Sequence, residues 1–554
     1  MNPGVGLRGS PIDLASEVWT GSRDGYTVEP RPQSDPTLSP SIVRARLYHR
    51  VSSIISLALL LAGCGGDGPS APVRGEPGVH IVAGANVTDT VDAPLVQALV
   101  VEVFKQDGTL ASGVTVRFEP QPPLADAIYV CTLTGLCGPF VAGITTDVTD
   151  SRGRAKTIVQ MGHIAGHAVV RVVVPELGLA DSAAFTVLPG APAHVRPQVA
   201  DTTLDIGATT TLRGRVVDRY NNTRVEVPTS GVGPGSAVAL DAATGTITAL
   251  NMGTQYVLTR YNSFVDSTNV RVAPAGRLVV WSAIARAVRL VSLNGSGART
   301  IVSTIGSGFG VFPRFDPTRR RITLQTAAPS ADGSPNHVIV VDTTGSQRRD
   351  IGLPTELDGV SATRQLADGT VLVIARRDAD PSRPGYHLWS VATDNTITFV
   401  ADILRLNGGY GSADISHDGT RVAYLSDEFS TSQLRVLNVA TGVDVVLDSR
   451  ARSPRWSPQD DRIAYLLAQG GTYSDLDGVA FVINGDGTGR RPLGNDIFSP
   501  GLAWSPDGNY LIGRSSVEPS GFLRLVRLSD GAGVVLRFPN GQGGLDDYYQ
   551  PDWR

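Results

Sequence analysis

Residues 501–515 read GLAWSPDGNYLIGRS, and the same design occurs four times upstream. The copies are PRFDPTRRRITLQT from Pro313, ATRQLADGTVLVIA from Ala362, SADISHDGTRVAYLS from Ser412 and SPRWSPQDDRIAYLL from Ser453. They align on Phe315, Gln365, Ile415, Trp456 and Trp504, at spacings of 50, 50, 41 and 48 residues. After each copy comes a second apolar run and a hairpin signal, as in VIVVDTTGSQRRDI, LRVLNVATGVDVVL, AFVINGDGTGRRPL and LRLVRLSDGAGVVL. One unit therefore holds about four short antiparallel strands in 40–50 residues, which describes a propeller blade.

Within a unit the motif has a physical logic. Pro-x-Trp opens a strand with a large packing side chain, and Ser-Pro-Asp-Gly, here Pro506, Asp507 and Gly508, turns the chain with a φ-fixing proline and a permissive glycine. Phe315, Ile415, Trp456, Trp504 and Trp553 are thus expected to be structural. The chain ends in QPDWR, whose Trp553 lies 49 residues after Trp504, so a unit opens there without its later strands. Those strands are supplied by GRLVVWSAIARAVRLVSLNGSGARTIV, residues 276–302, which lacks an opening motif. The expectation is a six-bladed ring over 275–554, with one blade shared by residues 550–554 and 277–305. Such closure removes exposed sheet edges.

The WSPDG string, with its copies SHDG, LADG, SPQD and DPTR, resembles the repeat of TolB-like propellers across about half the chain. That family commonly binds proteins at the channel or rim, and related propellers act as lyases or precede serine peptidase domains. With no G-x-S-x-G elbow beyond Arg554, no peptidase domain is expected.

Working outward, residues 78–190 alternate apolar and polar positions in short runs, such as Leu99, Val101, Val103 and then Val114, Val116, Phe118 across an Asp-Gly turn. That periodicity means hairpins, and about seven strands in about 110 residues is the size of an Ig-like sandwich. Thr149, Asp150, Gly153, Ala155, Gly162 and Ala165-Gly166 resemble the signature of bacterial Ig-like domains of the invasin and intimin kind. Residues 191–274 form a second module, where Asp241, Gly245, Ile247, Ala249 and Gly253-Thr254 resemble another bacterial Ig-like family. Such modules are stalks and spacers, so the fold class expected is all-β: two Ig-like sandwiches, then the propeller.

Ahead of these, RARLYHR at 44–50 precedes an apolar stretch from Val51 to Leu61, the layout of a secretory signal peptide. The stretch is too short for a span of about 20 residues. The junction Leu61-Ala62-Gly63-Cys64 resembles a bacterial lipobox, which implies cleavage of 43–63 and lipidation of Cys64. Several acyl chains give stable anchoring. Residues 64–77 read as a Gly- and Pro-rich tether. Residues 1–42 read as a non-native extension, with initiation expected near Val43 or Leu47. Of the other cysteines, Cys131 and Cys137 are expected to pair, since an exported chain meets an oxidising compartment.

Composition narrows the function. A net charge of −4, with 48 basic and 52 acidic residues, leaves no electrostatic footprint for nucleic acid. Lys105 and Lys156 are the two lysines of the chain, leaving little room for Lys-dependent chemistry. His163 and His167 are expected to be ordinary strand residues, and His337, His387 and His417 sit at different phases of three blades, so no metal and no cofactor are expected. Arg319-Arg320-Arg321, Arg348-Arg349 and Arg490-Arg491 read as solvated hairpin ends. Asp546-Asp547-Tyr548-Tyr549 could line one mouth of the channel, or pack within the closing blade.

The function expected is non-enzymatic: a lipid-anchored envelope protein, exported and most readily placed at the outer membrane, whose spacer presents a propeller to an envelope or extracellular protein or a glycan. A propeller-based carbohydrate- or peptide-active enzyme is the alternative, and a structural envelope component linked to trafficking is a third.

Overall fold

The computed structural model describes residues 75–121, 125–132, 143–303, 311–325, 337–377, 385–403, 405–406, 411–426, 432–468, 477–517, 522–539 and 546–554. The chain divides into two units, Met1–Ala71 and Pro72–Arg554, and every described residue falls in the second. The extension, the signal segment and Cys64 lie outside the described residues, as does Cys137. Among the described residues the regular structure is strand, apart from 3-10 turns at Ala125–Ala127 and Pro175–Leu177.

The alternation of apolar and polar side chains builds the N-terminal modules directly, because successive residues of a strand face opposite sides. One sheet holds Gly78–Ala83, Leu99–Phe104, Arg154–Met161 and Ile128–Cys131. A second holds Val87–Thr90, Leu179–Leu188, Gly166–Val174, Thr115–Pro120 and Thr145–Val148. Leu99, Val101, Val103, Val116, Phe118, Val170 and Val172 share one buried core. Thr149 is buried and its Oγ1 accepts the Val114 N–H at 2.9 Å, while Asp150 Oδ1 accepts the N–H groups of Arg152 and Arg154 at 2.8 and 3.0 Å. Gly162 is a glycine for space: a Cβ there would stand 1.9 Å from the Asp126 carbonyl oxygen.

The second module has a four-stranded sheet of Thr202–Asp205, Phe264–Ala273, Gly253–Tyr261 and Thr229–Val232. Beside it lie a three-stranded sheet of Thr209–Thr211, Thr246–Ala249 and Val238–Asp241, and the pair His194–Pro197 with Gly214–Val217. Its core gathers Val238, Ile247, Ala249, Val257, Val270 and Val272. Asn222 fastens the two modules: its Nδ2 donates to the His163 carbonyl at 2.7 Å and its Oδ1 accepts the Ala165 N–H at 2.8 Å. His163 stacks on Tyr220 at 4.1 Å between centroids and reaches Asp92 at 3.1 Å.

From Arg277 onward, six four-stranded antiparallel sheets follow among the described residues. Their first strands are Arg314–Phe315, Asp358–Gln365, Ala413–Ile415, Ala451–Trp456, Ala503–Trp504 and Tyr548–Trp553. Each of these touches the next, and the last touches the first, which is the inner ring of a β-propeller. The sheet that closes the cycle pairs Tyr548–Trp553 with Arg277–Ser282, with Trp553 opposite Leu278 and Tyr548 opposite Ser282. Arg277 and Arg554 exchange backbone hydrogen bonds at 3.0 and 2.9 Å. Segments about 270 residues apart in sequence thus share one sheet. Propeller and second module also touch: Asp201 bridges Arg271 of the module at 2.9 Å and Arg537 of the propeller at 3.1 Å.

The channel mouth as candidate functional site

The repeat motif has two faces. Phe315, Ile415, Trp456, Trp504 and Trp553 are all buried, each in a core shared between neighbouring sheets. Arginines from adjoining positions lie over three of these rings: Arg421 over Trp456 at 4.8 Å, Arg462 over Trp504 at 5.1 Å and Arg554 over Phe315 at 5.9 Å. Pro506, Asp507 and Gly508 form the turn after Trp504. Gly508 has φ +69°, Ser505 Oγ donates to Asp507 at 2.5 Å and also accepts the Tyr510 N–H at 2.9 Å.

Because a strand alternates, the residue before each aligned position faces the other way, toward the ring axis. Those residues are Arg314, Arg364, Asp414, Arg455, Ala503 and Asp552, and all six line one cavity of about 30 Å³. The turns after the inner strands add Asp316, Arg319 and His417 to its wall, with His417 standing where Pro317, Pro458 and Pro506 stand in other sheets. A second cavity of about 10 Å³ shares Arg314, Asp414 and Arg455 with it and is lined further by Gln325, Ser361 and Thr363.

The aspartates are committed to the frame. Asp414 Oδ2 accepts the Trp456 backbone N–H at 2.8 Å, and its Oδ1 lies 3.4 Å from an Arg364 Nη. Asp552 Oδ2 accepts the Phe315 N–H at 2.6 Å. Asp316 Oδ1 takes the N–H groups of Arg320 and Arg321 at 2.8 and 2.9 Å. The arginines are not matched in the same way. Arg455 is 3% exposed; its Nη1 donates to the Pro454 carbonyl at 2.8 Å, while its Nε and Nη2 have no hydrogen-bond partner among the described residues. Among the described residues Arg314 bonds only the Pro313 carbonyl, at 3.4 Å, and Arg319 bonds the Trp553 carbonyl. Among the described residues, Arg314, Arg319 and Arg455 make no ion pair within 4.0 Å.

Electrostatics follow from this crowding. Burial, and after it the charge on Arg314, pushes Arg455 down to about 9. Burial also lowers Arg319. His417 is lowered by burial, then by Arg364 and Arg319, so it is uncharged at neutral pH.

Asp546, Asp547, Tyr548 and Tyr549 lie at the opposite end of the closing strand from Asp552. Asp546 is buried, accepting from Ser282 Oγ at 2.6 Å and from Arg289 at 2.5 Å, and Tyr548 packs on Phe538 at 5.1 Å. Tyr549 donates to Asp547 at 2.8 Å, with the Arg514 guanidinium 4.5 Å from its ring. Asp546 and Tyr548 are thus buried within the closing sheet, while Asp547 and Tyr549 are half-buried.

Of the basic clusters, Arg348 pairs with Asp350 at 2.8 Å and Arg490 with Asp448 at 2.7 Å. Arg319 differs: with φ +62° it leaves the hairpin end and enters the mouth. His387 lies 2.8 Å from Asp402, away from His417. No group of three or more His, Cys, Asp or Glu is arranged for a metal ion among the described residues. Sequence reasoning missed the mouth because it weighed the aromatic of each repeat and not the residue before it; the alternation itself was the available signal.

No protein-family model matches this chain, and no curated protein matches it. Solved structures do. TolB from Acinetobacter baumannii has a TM-score of 0.40 at 13% identity, over 57% of this chain and 81% of that one. A nidogen/laminin complex has a TM-score of 0.37 at 9% identity, over 50% and 98%. The oligogalacturonate lyase of Vibrio parahaemolyticus has a TM-score of 0.32 at 12% identity, over 59% and 85%. These scores are too low for any of the three to bear on what this chain does. The strand pairing itself defines the class: an all-β protein whose C-terminal half is a β-propeller.

Proposed function

We propose that this chain is a lipid-anchored cell-envelope protein in which residues 78–190 and 191–274 are Ig-like spacers and the six sheets of 275–554 are the blades of one closed ring that binds a protein or glycan. Cys64 carries the lipid, Cys131 and Cys137 form a disulfide, and the anchor sits at the outer membrane. Recognition is non-enzymatic and uses no cofactor. The observation that carries this reading is the channel mouth, where buried guanidinium N–H groups lack partners inside a small cavity. Sites that fix a ligand through a few convergent polar groups have this form.

An enzyme at the same place would need groups that exchange protons near neutral pH. Of the side chains lining the mouth His417 is the one imidazole, and Asp316, Asp414 and Asp552 each hold a backbone N–H of the frame. Binding is therefore favoured over turnover.

The test is capture by the full-length chain in detergent, from envelope extracts and on a glycan array, beside the double variant Arg319→Ala with Arg364→Ala. A retained protein or glycan that the variant loses supports the reading. Retention unchanged by the variant moves recognition away from the mouth, and retention of nothing by the native chain removes the function.

A further inference from the structure

We infer that the channel mouth receives a compact carboxylate, a monoanion held by the guanidinium groups of Arg455, Arg364, Arg314 and Arg319. This deepens the binding function proposed above and rests on it.

The donors are the first reason. A buried polar group without a partner costs about 1–3 kcal/mol, and a charged one more. Arg455 leaves its Nε and Nη2 unmatched at 3% exposure, and the Nε of Arg364 is also buried without a partner. The neighbouring aspartates relieve them only in part: Asp414 reaches Arg364 at 3.4 Å, and Asp316, Asp414 and Asp552 each also hold a backbone N–H of the frame. A planar oxyanion answers these donors with two oxygens against forked guanidinium groups.

Charge sets the valence. Four arginines against Asp316, Asp414 and Asp552 leave a single positive excess in the wall. With His417 uncharged at neutral pH there is no second. One negative charge balances the site, while a dianion such as a phosphate monoester would bring an unbalanced charge close to three carboxylates. Size agrees: about 30 Å³ takes roughly two water-sized spheres, enough for a terminal carboxylate. Phe315, Trp456 and Trp504 complete the wall, and their low-polarity faces strengthen charged hydrogen bonds.

The probe is acetate, titrated into the full-length chain in detergent and chloride-free buffer, read by calorimetry and by intrinsic tryptophan fluorescence. Saturable binding at one site is expected, weaker for inorganic phosphate above its second pKa. Arg455→Met should weaken acetate at least about tenfold, the loss of one charged hydrogen bond. It should not lower Tm, because an apolar isostere of an unpaired buried cation is neutral or stabilising. Arg364→Met is the second variant, read by acetate affinity alone, because it also breaks the contact with Asp414. A short peptide with a free C-terminus against its amide, and glucuronate against glucose, separate a chain terminus from an acidic sugar as the source. The inference is overturned if the native chain captures its envelope partner but shows no acetate response, if phosphate binds as tightly, or if both folded variants bind acetate unchanged. Acetate binding without any captured partner would uphold this site and remove the function proposed above.

Discussion

Asp414 accepts the backbone N–H of Trp456 at 2.8 Å, although the two residues lie in different sheets. Inner strands of neighbouring sheets form no ladder with each other, so an N–H facing the gap has no strand partner, and a carboxylate from the preceding sheet supplies one. Asp552 does the same for Phe315 at 2.6 Å across the closing contact. Asp414→Ala should leave that N–H and Arg364 unmatched together and lower stability by about 2–4 kcal/mol, measured by urea unfolding. A loss under about 0.5 kcal/mol would show that the bond does not hold the ring.

Closure depends on Trp553, which is 2% exposed and packs with Leu278, Val280 and Leu525. Trp553→Ala should cost about 3–5 kcal/mol. The loss should come with protease cleavage near both 277–282 and 548–554, because one sheet holds both ends. Cleavage confined to the C-terminus would argue against a shared sheet.

Gly162 tests the packing of the first module. Its α-hydrogen face meets the Asp126 carbonyl oxygen, so Gly162→Ala must displace backbone and should cost more than about 2 kcal/mol. Gly178→Ala makes a fair comparison, since φ is +67° there and a Cβ meets nothing within 4 Å, so strain alone acts. Thermal unfolding that ranks Gly178→Ala as the more damaging would refute the contact.

His417 carries a pH signature. Its folded pKa lies below the ordinary 6.5, by burial first and then by Arg364 and Arg319, with Asp418 opposing. The unfolded chain therefore binds more protons than the folded one just below pH 6.5, and stability falls as the pH drops through that window. His417→Asn should flatten the slope, and Arg364→Gln should move the His417 titration upward in NMR. A His417 titration at or above 6.5 in the native chain would contradict the placement.

Much of the architecture was legible because it is periodic. The spacing of Phe315, Gln365, Ile415, Trp456, Trp504 and Trp553 needs no tertiary information, and the strand that holds Trp553 pairs with Arg277–Ser282. Alternation likewise marked Leu99, Val101 and Val103 as a buried face, because a strand has a period of two wherever it sits. What lines a ring axis is different. Arg314, Arg364, Asp414, Arg455 and Asp552 are single charged residues scattered over more than 230 positions, and although each stands one place before an aligned position, nothing local says whether that face meets solvent or a closed axis. Only the closing of the ring sets them around one cavity, where burial turns ordinary arginines into unmatched donors. The same closure sends Asp546 and Tyr548 into the packing of the last sheet, since their own sequence fits either fate and their neighbours Ser282, Arg289 and Phe538 come from elsewhere in the fold.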